Sequence, residues 1–233
     1  MPYQFETIGL VRSPYKEKFG IPRQPSLAPA AEICVELLPP FNHPDSVRGL
    51  LDFSHVWISF VFHETLGRGW QPLVRPPRLG GNAKVGVFAS RSTHRPNPLG
   101  LSLVELRGLD LQDGVRLHLA GADLLDGTPV LDIKPYIPFV ESRPTARGGF
   151  VDGPPPCLKV QWNPLALQQL SSLHKAPPQL AALIEQVLAQ DPRPAYQNDP
   201  QRIYGVRLYD FNIRFQIRDM QVEVLEIHTA APN

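Results

Sequence analysis

The chain has 233 residues, of which 42% are hydrophobic, and a formal net charge of +1. That length allows one large domain, or one of about 150 residues with a smaller companion. The apolar content suffices for a core and excludes wholesale disorder, and the near-neutral balance names no partner by itself. No run is apolar and long enough to cross a bilayer. The opening MPYQFETIGLVRSPYKEK carries charge throughout, so neither a signal peptide nor a membrane partner is expected. The 27 prolines favour short elements joined by stiff loops over a helical bundle. The two cysteines, Cys34 and Cys157, fit neither a disulfide framework nor a metal spacing, which points to a reducing, cytoplasmic setting.

In chain order, strands are predicted at Phe5–Arg12, Glu32–Leu37, His55–His63, Val85–Ala89, Ser102–Leu109, Val115–Ala122 and Val130–Ile133. Turn residues at Pro39-Pro40, Gly80-Gly81, Asp113-Gly114 and Asp126-Gly127 separate them. Short, regularly spaced strands argue for an antiparallel sandwich or barrel. One short helix fits near Pro44–Leu50. The stretch ESRPTARGGFVDGPPP then breaks the apolar pattern and divides the chain into an N-terminal domain, 1–142, a linker, 143–156, and a C-terminal domain, 157–233. Beyond the linker, Leu158–Trp162 reads as a strand, and Asn163 with Pro164 as a helix start. Leu180, Leu183, Ile184, Val187 and Leu188 fall on one helical face. The chain closes as a hairpin, Ile203–Ile217 with Val222–Ile227, around RDMQ. The fold class is therefore mainly β: a barrel-like N-terminal domain with a small α+β C-terminal domain.

Three stretches carry candidate chemistry. From Thr65 to Val104 there is no Asp or Glu, while Arg68, Arg75, Arg78, Lys84, Arg91 and Arg95 are present, interleaved with Trp70 and Phe88. A basic field inside a neutral chain suits a phosphate-bearing partner as well as a plain solvated face. In ADLLDGTPVLDIKPY, Asp132, Lys134 and Tyr136 alternate along one strand face, as a surface ladder or a site that handles protons. In QDPRPAY, a helix stop explains the prolines but not Arg193 or Tyr196, which would suit a nucleic-acid contact. There is no G-x-G-x-x-G after a strand, no P-loop, no G-x-S-x-G and no zinc spacing, so no metal is expected. His55 and His63, at the ends of an apolar strand, are structural by default.

IGLVRSPYKEKFGIPRQPSL, RGLLDFSHVWISFVFH, RPPRLGGNAKVGVFASRSTHRPNPLGLSLVEL, DLLDGTPVLDIKPYIPF and LAQDPRPAY together closely resemble the TsaA-like, or TrmO, family over nearly the whole chain. The resemblance implies a non-Rossmann, β-barrel methyltransferase. Such an enzyme uses S-adenosylmethionine to methylate N6 of N6-threonylcarbamoyladenosine at position 37, beside the anticodon, and works as a homodimer on the tRNA anticodon loop, not on DNA. Carried over residue by residue, the cofactor pocket would take Gln24, Pro25, Ser26, His63, Glu64, Arg91, Leu101, Asp123, Leu124, Leu125 and Asp126. His94, Arg95 and Asn97, with Arg193 and Tyr196, are then expected to face the tRNA, and Asp132, Lys134 and Tyr136 are the candidates for the chemistry at N6. Two other readings stay open: a cofactor-binding RNA-binding or regulatory module without turnover, and a structural β-domain.

Overall fold

In the computed structural model, which describes residues 3–80, 82–151, 153–194, 197 and 199–230, the N-terminal part is antiparallel β structure. β1 (Gly9–Arg12), β2 (Glu32–Leu37) and β3 (His55–Val61) precede a short ribbon of β4 (Leu73–Val74) and β5 (Val85–Gly86). β6 (Leu99–Asp110), β7 (Arg116–Ala120) and β8 (Pro129–Pro135) follow. The strands other than the ribbon close into a barrel in the order β1-β2-β7-β6-β3-β8, and β8 returns to β1 with Gly9 opposite Val130. Closure removes the exposed sheet edges that invite aggregation. Period-two alternation builds the interior: Ile33, Val35 and Leu37, then Val56, Ile58 and Phe60, then Leu117 and Leu119, are buried while their neighbours face outward.

After α1 (Pro138–Glu141) come β9 (Lys159–Trp162), α2 (Pro164–Ser172), α3 (Leu180–Ala189), β10 (Ile203–Leu208), β11 (Phe211–Arg218) and β12 (Gln221–Thr229). Their sheet has the order β10-β11-β12-β9, with β12 and β9 parallel. Helix α2 begins as the sequence predicts: the Asn163 side chain accepts from Ala166 N at 2.9 Å and Pro164 takes the first helical position. All five apolar residues of the predicted α3 stripe are buried.

Residues 13–31 run between the barrel and this sheet. Tyr15 bridges to Leu208, and the Phe19 ring stacks against Tyr204 and Phe215 at 6.5 and 6.4 Å between centroids. Gly20 has φ +87°, and a Cβ there would lie 2.4 Å from Val206. Ala30 N donates to Gln186 Oε1, and Arg207 N to Glu17 Oε1. The buried residues of barrel and C-terminal sheet form one continuous apolar cluster.

Several boundaries differ from expectation. Val85–Ala89 is not a full strand: pairing stops at Gly86, and a 3-10 turn buries Val87 while leaving Phe88 exposed. β3 ends at Val61, so His63 opens a 3-10 turn, His63–Arg68. β1 begins at Gly9, with Ile8 already bonded to Val130 and Leu38, so residues 5–7 stay outside the strand. The short helix at Pro44–Leu50 is two 3-10 turns split at Gly49, whose φ of +81° interrupts helical backbone. The span Ile203–Ile217 is two strands, because Tyr209 at φ +51° reverses the chain and makes the hairpin a meander.

Candidate active site

At one end of the barrel, β3 runs out, β6 and β8 begin, and residues 13–31 and the β7–β8 connection cross the opening. A cavity of about 530 Å³ lies there. Gly100 and Ser102 of β6 and Phe60 of β3 line its inner part. Phe62, Leu101 and Leu125 add apolar surface, and Lys18, Gln24, Glu64, Arg91 and Asp123 supply polar groups. A second cavity of about 530 Å³, between the barrel wall at Cys34 and His118 and the segment Pro177–Gln179, contains none of the sequence-predicted site residues.

The principal carboxylate of the first cavity is Asp123. Ser102 Oγ donates to its Oδ1 at 2.6 Å. Burial pushes the Asp123 carboxyl up, opposed by the Ser102 hydrogen bond and the positive charge of Arg91. Arg91 Nη1 donates to Gln24 Oε1, which joins the loop after the ribbon to residues 13–31. Arg95 braces its own loop, donating through Nη1 to Ser90 O at 2.8 Å and Val87 O at 3.2 Å. Lys18 Nζ donates to Glu64 O at 3.1 Å and pairs with its carboxylate at 3.7 Å.

Of the predicted cofactor residues, Gln24, His63, Glu64, Arg91, Leu101, Asp123 and Leu125 line this cavity, together with Arg95 from the predicted tRNA set. The others lie elsewhere. Pro25 and Ser26 follow Gln24 but are not in the lining, and Ser26 N donates to Gly121 O at 2.6 Å. Leu124 points into the core at 1% exposure. Asp126 ties down the N-terminal segment, accepting from Ser13 N and Lys16 Nζ, each at 2.8 Å. His94 is half-buried and Asn97 exposed on the proline-stiffened loop. Asp132 and Lys134 form an ion pair on the outer barrel face, and Tyr136 meets Trp57 edge-on at 6.1 Å. Arg193 forks onto Asp191 with both bonds at 2.8 Å and is mostly buried, which occupies the guanidinium expected to meet tRNA. Tyr196 lies outside the described residues.

Sequence reasoning passed over Phe60, Phe62, Gly100 and Ser102. Alternation along β3 and β6 signals which of them face inward, but nothing local signals that Ser102 meets Asp123. As a set, the cavity offers a planar cation, a half-buried carboxylate and apolar ring surfaces in a volume suited to a small-molecule ligand. That donor set fits S-adenosylmethionine: Arg91 for its carboxylate, Asp123 for a hydroxyl or amino group, and Leu101 with the phenylalanines for its ring system. Gly100 leaves room that a side chain would remove, since a Cβ there would stand 2.2 Å from the Phe60 ring.

Comparison with known proteins matches this geometry to a family. The tRNA-methyltransferase O N-terminal domain model matches residues 10–142, and the TrmO C-terminal domain model matches residues 155–230. The "tRNA (adenine(37)-N6)-methyltransferase" of Escherichia coli (strain K12) is 52% identical over 229 residues, 97% of each chain. A Pyrococcus abyssi relative named "Probable S-adenosyl-L-methionine-binding protein" is 38% identical over 148 residues, 64% of this chain and 76% of that one. The crystal structure of TrmO from Pseudomonas aeruginosa superposes with a TM-score of 0.83 at 44% identity, covering 98% of this chain and 99% of that chain. With a closed barrel in place of a Rossmann sheet, and with both family models matched across the barrel and the C-terminal sheet, the chain belongs to the TrmO family.

Proposed function

We propose that the protein methylates N6 of adenosine 37 in tRNA with S-adenosylmethionine as donor, and that its acceptor is N6-threonylcarbamoyladenosine in the anticodon loop. The observation that carries this reading is the convergence of Gln24, Arg91, Leu101 and Asp123 on one cavity in a TrmO-family chain. The activity named for the E. coli relative supports it. When bound, S-adenosylmethionine supplies a methyl group activated by its sulfonium. Arg91, oriented by Gln24, would receive its carboxylate. Asp123, held by Ser102, anchors a hydroxyl or amino group. Phe60 and Phe62 would keep water from the inner part of the cavity when the cofactor is bound. Holding acceptor and donor together in one site would supply much of the acceleration through proximity.

N6 of the acceptor shares its lone pair with the purine and the carbamoyl group, so its proton must leave. Asp132, or Tyr136 as its phenolate, is the proposed acceptor of that proton, and Lys134 the proposed partner of the threonyl carboxylate. They occupy the outer barrel face beside Trp57, which reaches the cavity, and opposite exposed Leu101 and Leu99 across β3. A second copy docked on this apolar face would enclose the row and the cavity together, which supports a homodimer. A tRNA substrate and free thiols at Cys34 and Cys157 suit the cytoplasm. The test is transfer of labelled methyl to tRNA with and without the threonylcarbamoyl group, with nucleosides analysed by mass. The modified tRNA is expected to gain one methyl at N6. Equal rates on both tRNAs would remove the threonylcarbamoyl part, and cofactor binding without transfer would leave a binding module.

A further inference from the structure

The chain between β3 and β6 leaves the barrel as an arm, residues 66–98, built on the β4–β5 ribbon. It contains no Asp or Glu. Arg68, Arg75 and Lys84 are exposed on it and have no ion pair or hydrogen bond among the described residues. Two large aromatics sit beside these cations in water: Phe88 is 76% exposed and Trp70 52%. Neither is on a loose loop. Val87 N donates to Pro72 O at 3.0 Å, and Gln71 N to His94 O at 3.3 Å, so both rings flank a hydrogen-bonded rung. The Arg95 guanidinium lies over the Phe88 ring at 5.8 Å, and its bonds to Ser90 and Val87 carbonyls hold it there. The root of the arm, through Ser90, Arg91, Thr93 and Arg95, lines the cavity beside Thr65.

We propose that Phe88, backed by Arg95, and Trp70 are stacking platforms for unpaired nucleobases adjoining the adenosine that enters the cavity, while Arg68, Arg75 and Lys84 hold the RNA backbone. The proposal rests on the tRNA reading above and names how that substrate is gripped. A base that leaves a stack for an enzyme pocket deprives its neighbours of a stacked face. An exposed aromatic ring replaces that face for any base, and a guanidinium over the ring adds to the attraction. Unpaired cations meet phosphate through counterion release. An acidic protein segment would use the cations but gives no role to the exposed Trp70 and Phe88 rings on the same arm, so single-stranded RNA fits the combination best.

The test uses the full chain and an anticodon stem-loop carrying 2-aminopurine beside the target adenosine, read by fluorescence and by filter binding over a salt series. Wild-type protein is expected to quench the probe. Phe88→Ala should bind about tenfold more weakly and lose the quench, with an unchanged salt slope. Phe88→Tyr should restore both. Arg75→Ala and Lys84→Ala should keep the quench and lower the slope of log affinity against log salt by about 0.7–0.9 each. Cofactor binding by calorimetry should be unchanged in Phe88→Ala, whose side chain is outside the cavity. If wild type methylates tRNA while Phe88→Ala and Trp70→Ala bind and quench as wild type does, the stacking proposal is wrong and the methyltransferase reading stands. If wild type neither binds nor methylates tRNA, both fall.

Discussion

Replacing Gly100 by alanine would put a Cβ 2.2 Å from Phe60 Cζ, and 2.3 and 2.7 Å from the two Cε atoms of that ring. Carbon atoms rest about 3.5–4.0 Å apart, so the ring must retreat by roughly 1.5 Å. Phe60 is 6% exposed and meets Phe62 edge-on at 5.1 Å, which leaves the cavity as the space into which it moves. Overpacking of this kind costs about 1–3 kcal/mol. For a chain of this size that lowers Tm by roughly 2–12 °C. The displaced ring also occupies ligand volume, so S-adenosylmethionine should bind more weakly. Thermal melts and calorimetry on Gly100→Ala, Phe60→Leu and the double variant read both effects. Phe60→Leu should relieve part of the Gly100→Ala penalty, with a coupling of about 1 kcal/mol or more. Unchanged Tm and affinity in Gly100→Ala, or strictly additive effects in the double variant, would refute the packing described for this wall.

Burial makes the folded protein hold the Asp123 proton more firmly than the unfolded chain does, so this group's contribution to stability falls as pH rises through the carboxyl range. Asp123→Asn should therefore melt higher than wild type at neutral pH, lose that advantage in acid, and bind S-adenosylmethionine more weakly, as paired melts and calorimetry will show. Asn163→Ala removes the bond to Ala166 N and should cost about 1 kcal/mol, seen as a fall in Tm, with cofactor affinity unchanged. Burial pushes the Cys34 thiol up to about 11, whereas Cys157 is exposed. Iodoacetamide at neutral pH should modify Cys157 and spare Cys34, which peptide mass mapping checks.

What could be read from the sequence was what is coded locally. The Asn163-Pro164 start and the apolar stripe of α3 depend on residues a few positions apart, and both appear as expected. Alternation located the inward residues of β2 and β3 for the same reason. The reading failed where a short segment had two solutions. Val85–Ala89 is an apolar run that fits a strand, yet the chain buries Val87 in a turn and spends Phe88 on the surface. Tyr209-Asp210 makes a turn without Gly or Pro, so no punctuation announced it. In the site, Asp126 carries the same local signature as Asp123, but its partner Ser13 N is distant in sequence and claims it for structure. Arg193 looked available because its neighbour Asp191 gave no sign of folding back onto it.

The segment 13–31 belongs to two places at once. Its ends and Phe19 are fastened to the C-terminal sheet and α3, and its middle, Lys18 with Ile21–Gln24, forms part of the cavity wall. A wall shared in this way gives a ligand in the cavity and the seating of the C-terminal sheet one segment in common. If loosening the contacts of residues 13–31 with the sheet weakens a ligand in the cavity, that ligand in return tightens those contacts by the same factor. The C-terminal sheet thus has a route to the cavity through residues 13–31, although none of its own residues is in the lining.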